Sequence, residues 1–231
     1  MKMPKNKLLK CQFHCHVGGD PCDHIRYSPR ELVDEAMKLR YDVLAITCHR
    51  AIVFDEEVRD YAASKGLLLV RGIEFEIDEQ HILALNVDKD INEVETFYDL
   101  KKYRQNHPNT LVIAPHPYFP GKTCLGESLE RHIDLFDAIE ISWAGTKTID
   151  FNKKARKIAK SFGKPLVATA DCHFINDLDI GYCKLDCEQK WAAILKTVRE
   201  GRKIKNHHKK TSIFKVLGFT LKMAWQNWRH K

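Results

Sequence analysis

Eight residues suited to binding hard or borderline metals fall at the ends of successive strand-like runs: His14 and His16, His49, Glu74, His81, His116, Asp171 and His173. In a β/α fold closed into a barrel, the C-terminal ends of the strands gather at one mouth, so residues far apart in sequence converge there. Singly these fragments carry little weight. Two strand residues at i and i+2 share a face, and Ala114-Pro115-His116-Pro117 by itself reads as an ordinary strand exit. Structural histidines, however, have no reason to choose the same end every time. The pattern predicts an α/β barrel with a multinuclear metal site.

The elements between these residues agree. A first strand ending at His14 is followed by Ser28-Pro29-Arg30-Glu31, which carries Ser at the N-cap, Pro at N1 and Glu at N3 of a helix. Leu32, Val33, Ala36 and Leu39 supply its apolar face. Residues 41–47 form a near-continuous apolar run, as expected of a parallel strand covered on both faces. Helices are expected at 55–65, 93–107, 128–133 and 149–162, and strands at 67–77, 81–87, 110–114, 136–142 and 166–170. About seven strands alternating with helices predict a parallel sheet, closed or distorted into a barrel. At 231 residues the chain fits one such domain.

Composition narrows the setting. No apolar run exceeds five residues, against the roughly 20 needed to span a bilayer, and the first ten residues lack the apolar stretch of a secretory signal. A cytoplasmic protein is expected, and its eight cysteines are expected to be reduced. Cys15 should turn away from the face that carries His14 and His16 and serve as a small core residue. Residues 201–231 hold nine Lys or Arg and no Asp or Glu, so the net charge of +7 belongs to them. The division expected is a barrel over residues 1–200 and a basic tail over 201–231. Within 205–231, Phe214, Leu217, Leu221, Ala224 or Trp225 and Trp228 share one helical face. That helix is expected to dock on the barrel, with an anionic membrane surface or nucleic acid as alternative partners.

In the order H-x-H, S-P-x-E-L, A-I-T-x-H, G-I-E, H-I-L-A, A-P-H-P and A-D-x-H, residues 11 to about 175 resemble the PHP (polymerase and histidinol phosphatase) metallophosphoesterases. The resemblance implies a distorted (β/α)7 barrel, TIM-like, with two or three zinc, manganese or iron ions at the mouth. It implies that His14, His16 and Asp171 hold a first metal, that Glu74 bridges to a second, and that His81 and His116 complete the second. His49 and His173 match ligands of a third metal, joined by a residue of the loop after H-x-H. Asp23 is expected at that position, with Asp20 and His24 as alternatives. Cys48 stands where the family usually has Asp, which removes a hydrogen-bonding partner from beside His49.

Two metals about 3.5 to 4 Å apart can clamp a phosphoryl oxygen while a water of lowered pKa attacks in line. The expected activity is hydrolysis of a small phosphomonoester or nucleotide phosphate, with Glu74 and Asp171 in the catalytic centre. Arg50, directly after His49, is the preferred phosphate clamp over Arg26, Arg71 and Lys122. Two other readings use the same ligands: an amidohydrolase-like C–N hydrolase, often bridged by a carbamylated lysine, and a non-catalytic metal-bound scaffold that recruits partners through the basic tail.

Overall fold

A computed structural model describes residues 8–143 and 150–209, together with residues 211, 212, 214, 216, 218 and 221. Strand β1 (Leu9–Gln12) leads to helix α1 (Pro29–Lys38), where the Ser28 side chain accepts from the Glu31 amide and Glu31 accepts from the Ser28 amide, the reciprocal cap its sequence calls for. β2 (Val43–Ile46), α2 (Glu56–Ser64) and β3 (Leu68–Ile77) follow, with Asp55 capping α2. Then come β4 (Gln80–Leu85), α3 (Phe97–Asn106), β5 (Leu111–Ala114), α4 (Glu127–Arg131) and β6 (Ala138–Ile141). Helix α5 (Lys153–Phe162) stops at Gly163, which takes the left-handed conformation at φ 64°. β7 (Leu166–Ala168), β8 (Gly181–Leu185), α6 (Trp191–Glu200) and β9 (Ile204–His208) complete the chain of elements.

Among the described residues the strands form one sheet in the order β7-β6-β5-β4-β3-β2-β1-β8-β9. It is a nearly closed, barrel-shaped α/β sheet, as expected, but it is not wholly parallel. β4 runs antiparallel to both β3 and β5, β8 antiparallel to β1, and β9 antiparallel to β8. The reversal at β4 is made by Asp78 and Glu79, both at positive φ (52° and 61°) between the paired residues Ile77 and Gln80. Positive φ at both central residues is the signature of a two-residue hairpin turn matched to strand twist. A parallel crossover needs a dozen residues or more.

The seam of the barrel closes in two ways. At the mouth the extensions of β1 and β7 pair directly: the His16 amide donates to the Cys172 carbonyl (3.0 Å) and the Cys172 amide to the His14 carbonyl (3.1 Å). Lower down the β8–β9 hairpin fills the gap. The Asn206 side chain accepts from the Ala168 amide and donates to the Leu166 carbonyl, both at 2.8 Å. Gly181 is required there, because a Cβ at that position would lie 2.1 Å from the Thr169 carbonyl oxygen.

Strand alternation sorts the core into layers. Val43 and Ala45 join Leu83, Leu85, Leu111 and Ile113 in a cluster with Ile194, Leu195 and Val198 of α6, while Leu44 and Ile46 pack with Leu32, Val33 and Ala36 of α1. Helix α6 closes the bottom of the barrel. Around it, Gln189 donates to the carbonyls of Asp42 and Gly66, and Arg199 to those of Pro108 and Thr110, all just before the N-terminal ends of strands.

The boundary expected at residue 200 falls just before β9, so the first part of the basic stretch is a strand of the sheet. Helical residues follow at 214, 216, 218 and 221. Phe214 and Leu221, expected on the docked face, are 80% and 72% exposed, and it is Val216 that is buried, in the same core cluster as Trp143. Leu217, Ala224, Trp225 and Trp228 lie outside the described residues. No helix among the described residues is long and apolar enough to cross a membrane.

Candidate metal centre

The mouth gathers the other seven ligand candidates around Glu74, which is 1% exposed. Its two oxygens face different histidines. Oε1 lies 2.9 Å from His81 Nδ1 and 3.2 Å from His116 Nε2. Oε2 lies 3.2 Å from His14 Nε2, 3.4 Å from His16 Nε2 and 3.1 Å from His49 Nε2. Asp171 Oδ1 stands 3.4 Å from the Nε2 atoms of both His14 and His16. His81 reaches the mouth from the N-terminal end of β4, not from a C-terminal end as the sequence pattern implied, because the β3–β4 turn lies at the mouth. Backbone strain concentrates here, with His116 at φ 26° and Asp171 at φ 47°.

Three of these atoms, His16 Nε2, His81 Nδ1 and Asp171 Oδ1, are buried with no hydrogen-bond partner among the described residues. Buried polar atoms are nearly always satisfied, so orphans that converge call for another group. The donor set fits a cation. Ligand atoms within 4.8 Å of one another come from His14, His16, Glu74 and Asp171, from His49, Glu74 and His81, and from His16, His49 and His173. Divalent metal binding is the coordination chemistry such mixed imidazole and carboxylate groups provide.

A second layer aims the rings. His14 Nδ1 donates to Glu140 Oε1 (2.9 Å), His16 Nδ1 to Asp20 Oδ2 (2.8 Å), and His49 Nδ1 to the same Asp20 oxygen (3.0 Å). With Nδ1 engaged in this way, Nε2 is the nitrogen left on each ring to bind a metal. His116 Nδ1 lies 3.5 Å from Cys124 Sγ, and His173 Nδ1 3.0 Å from the Asp171 carbonyl. Burial alone would raise Glu74, but His81, His14 and His49 outweigh it and hold the carboxyl well below the usual carboxylate range. Burial, helped by His173 and His49, lowers His16. Burial opposes the charge on His173 too, yet Asp171 and Asp23 push it up to about 9. Burial drives the thiols of Cys15 and Cys48 upward.

The loop after H-x-H separates its candidates. Asp20, with a fully buried side chain, sits behind the rings and also accepts from the His49 amide at 2.9 Å. It supplies the carboxylate that Cys48 lacks. Asp23 faces the cavity, its Oδ2 3.0 Å from His173 Nε2 and 3.7 Å from His49 Nδ1. His24 does not line that cavity. Neither does Arg50, whose guanidinium pairs with Glu76 at the exposed rim. Arg71 lies 3.6 Å from Asp88, and Arg26 and Lys122 also stand outside the lining.

Sequence reasoning missed Glu140, fully buried at the end of β6, where it accepts from Thr169 Oγ1 as well as from His14. An acidic residue inside the apolar run 138–141 was the available signal. It also missed Cys124, Trp143 and Val216, which line the cavity of about 300 Å³ over the ligands.

A barrel with a buried His and carboxylate cluster at its mouth defines a metal-binding α/β-barrel protein. The family model described as PHP-associated matches residues 150–203. An uncharacterized protein from Methanocaldococcus jannaschii is 32% identical over 118 residues, 49% of this chain and 64% of that protein. A two-domain protein containing a predicted PHP-like metal-dependent phosphoesterase, from Bacteroides vulgatus, superposes with TM-score 0.67 at 18% identity over 87% of this chain and 65% of the other. The lesion-specific endonuclease PfuEndoQ from Pyrococcus furiosus superposes with TM-score 0.63 at 11% identity over 93% and 66%. The chain thus spans just under two thirds of each of these relatives. Over residues 150–203 the chain is thus similar to PHP-associated sequences, and its barrel fold is shared with a protein containing a PHP-like domain.

Proposed function

We propose that this chain is a metal-dependent phosphoesterase acting on a small phosphomonoester or nucleotide phosphate, with two or three zinc, manganese or iron ions. The observation that carries the reading is Glu74, whose oxygens each face their own set of histidines. A carboxylate addressed on both sides suits a bridge between two ions. His14, His16 and Asp171 would hold the first, His81 and His116 the second, and His49, His173 and Asp23 a third. When bound, such metals supply Lewis acidity toward a phosphoryl oxygen and bring the pKa of a water toward about 7.

The chain's own residues provide the rest. Glu140, Asp20 and Cys124 hold the rings in place. The imidazole and carboxylate set favours transition metals over magnesium, which prefers oxygen ligands and water. A lysine-bridged amidohydrolase centre is less well supported, because no lysine lines the cavity among the described residues and Glu74 holds the bridging place. The full set of nine candidate ligands speaks against a scaffold without catalysis. A cytoplasmic location belongs to the same proposal, supported by eight free thiols.

The test is phosphate release from a panel of phosphomonoesters and nucleoside phosphates by protein reconstituted with each metal. Turnover that a chelator abolishes and metal restores supports the reading. No release from any ester by fully loaded protein would sink it.

A further inference from the structure

The cavity over the metal ligands is two-sided. One side is the ligand cluster, and the other is an apolar wall of Phe119, Pro120, Trp143 and Val216. No Lys or Arg lines it among the described residues. Among the described residues, a phosphoester bound here would find its charge met at the ligand side, and its other substituent would meet hydrocarbon and aromatic rings.

The wall is indexed to the ligands. The Phe119 amide donates to the carbonyl of His116 (3.1 Å), the Gly126 amide to that of Pro117 (2.9 Å), and the His81 amide to that of Thr123 (2.8 Å). The loop that carries Phe119 is therefore pinned to two ligand-bearing residues. Phe119 is itself oriented by an edge-on contact with Phe151, ring centroids 5.1 Å apart. Trp143 is fastened from the other direction, where Thr211 Oγ1 reaches its carbonyl at 3.5 Å. Val216, from the helical residues beyond β9, completes the wall, so the basic C-terminal stretch contributes an apolar side chain to the site.

We infer that Phe119, Trp143 and Val216 form the subsite for the leaving alcohol, and that the substrate is a phosphate monoester of an apolar, ring-bearing alcohol. The inference rests on the phosphoesterase reading and narrows it. In the reaction, water adds to phosphorus as the ester P–O bond breaks, and the alcohol departs with a proton that came from the water. Burying a ring against such a wall at the transition state is worth about tenfold or more in kcat/KM over an alcohol of one or two carbons.

The experiment compares 2-phenylethyl phosphate with ethyl phosphate on the full-length, metal-loaded protein. Both leaving groups are primary alcohols of similar basicity, so the ratio of kcat/KM reports binding of the ring. A ratio of about ten or more, falling at least threefold in Phe119→Ala and by less in Phe119→Leu, is expected. Metal content measured on each variant shows that the ligand side is intact. Equal kcat/KM for the two esters overturns the subsite while leaving the hydrolase standing. A ring preference that survives Phe119→Ala with metal content unchanged overturns the assignment to this wall. No turnover of either ester by loaded protein that does release phosphate from nucleoside phosphates overturns the subsite alone, whereas no release from any ester overturns the hydrolase reading and the subsite with it.

Discussion

The two ends of the barrel are built from the same strands and do opposite things. At the bottom, Leu85, Leu111 and Val43 meet Ile194 and Val198 of α6, and every buried side chain there gains by leaving water. At the mouth, His14, His16, Glu74 and Glu140 are as deeply buried, but they are ionisable groups whose desolvation is costly unless each polar atom finds a partner. The bottom stabilises the fold, and the mouth draws on that stability to hold a cluster whose donor set fits a cation.

The largest expected effect breaks the mouth while sparing the bottom. Glu74→Gln keeps the size of the side chain and removes the charge of the proposed bridge, so the proposed phosphoester turnover should fall by several orders of magnitude while circular dichroism stays native. Near-normal turnover by a metal-loaded variant would refute the bridge. Ile194→Ala attacks the bottom instead and should cost about 2 to 5 kcal/mol through lost burial and a cavity. Metal content by elemental analysis should be unchanged, and loss of metal in the folded protein would show that the two ends are coupled.

Metal removal sharpens the contrast from the other side. A ligand that binds only the folded state stabilises it by about 2.7 kcal/mol at a hundredfold excess over Kd, so chelation should lower Tm in the native protein and much less in Glu74→Gln. Next, Asp20→Asn should weaken metal affinity about 10- to 100-fold, as expected for an orienting carboxylate behind the ligands. Asp23→Asn should instead lower the number of ions bound, and titration with a metal indicator separates the two. The smallest effect belongs to Arg50→Ala. Its pair with Glu76 is at the exposed rim, with the arginine side chain 61% exposed, so stability should change by less than about 1 kcal/mol. A large loss in kcat/KM would return Arg50 to the site.

Much of the mouth was legible because coordination chemistry restricts which residue types serve, and strand ends announce where they point. The capping box at Ser28 and the stop at Gly163 were legible for the same reason: local backbone geometry demands particular side chains. The direction of β4 was present but unread. Two residues between Ile77 and Gln80 exclude a parallel crossover, yet Asp-Glu lacks the Asn-Gly signature that usually marks such a turn. β9 was hidden more deeply. Its sequence, Ile204 to His208, has neither alternation nor β-rich composition, and it is a strand because β8 offers a partner and Asn206 reaches β7. Glu140 and Asp20 were obscure because an orienting role depends on which ring lies opposite, a fact that only the closed barrel supplies.

The two-residue turn after β3 also divides the metal centre by assembly time. Glu74 and His81 sit on one hairpin, seven residues apart, and hairpins of this kind close in about 1 to 10 μs. His14 and Asp171 are separated by most of the chain, and their meeting waits for the seam between β1 and β7. During synthesis, one half of the centre can form as soon as the hairpin is clear of the ribosome, whereas the other requires residue 171 to have been made. The centre is thus a local motif on one side and a long-range clasp on the other, and closing the clasp is the event that joins the two termini of the barrel.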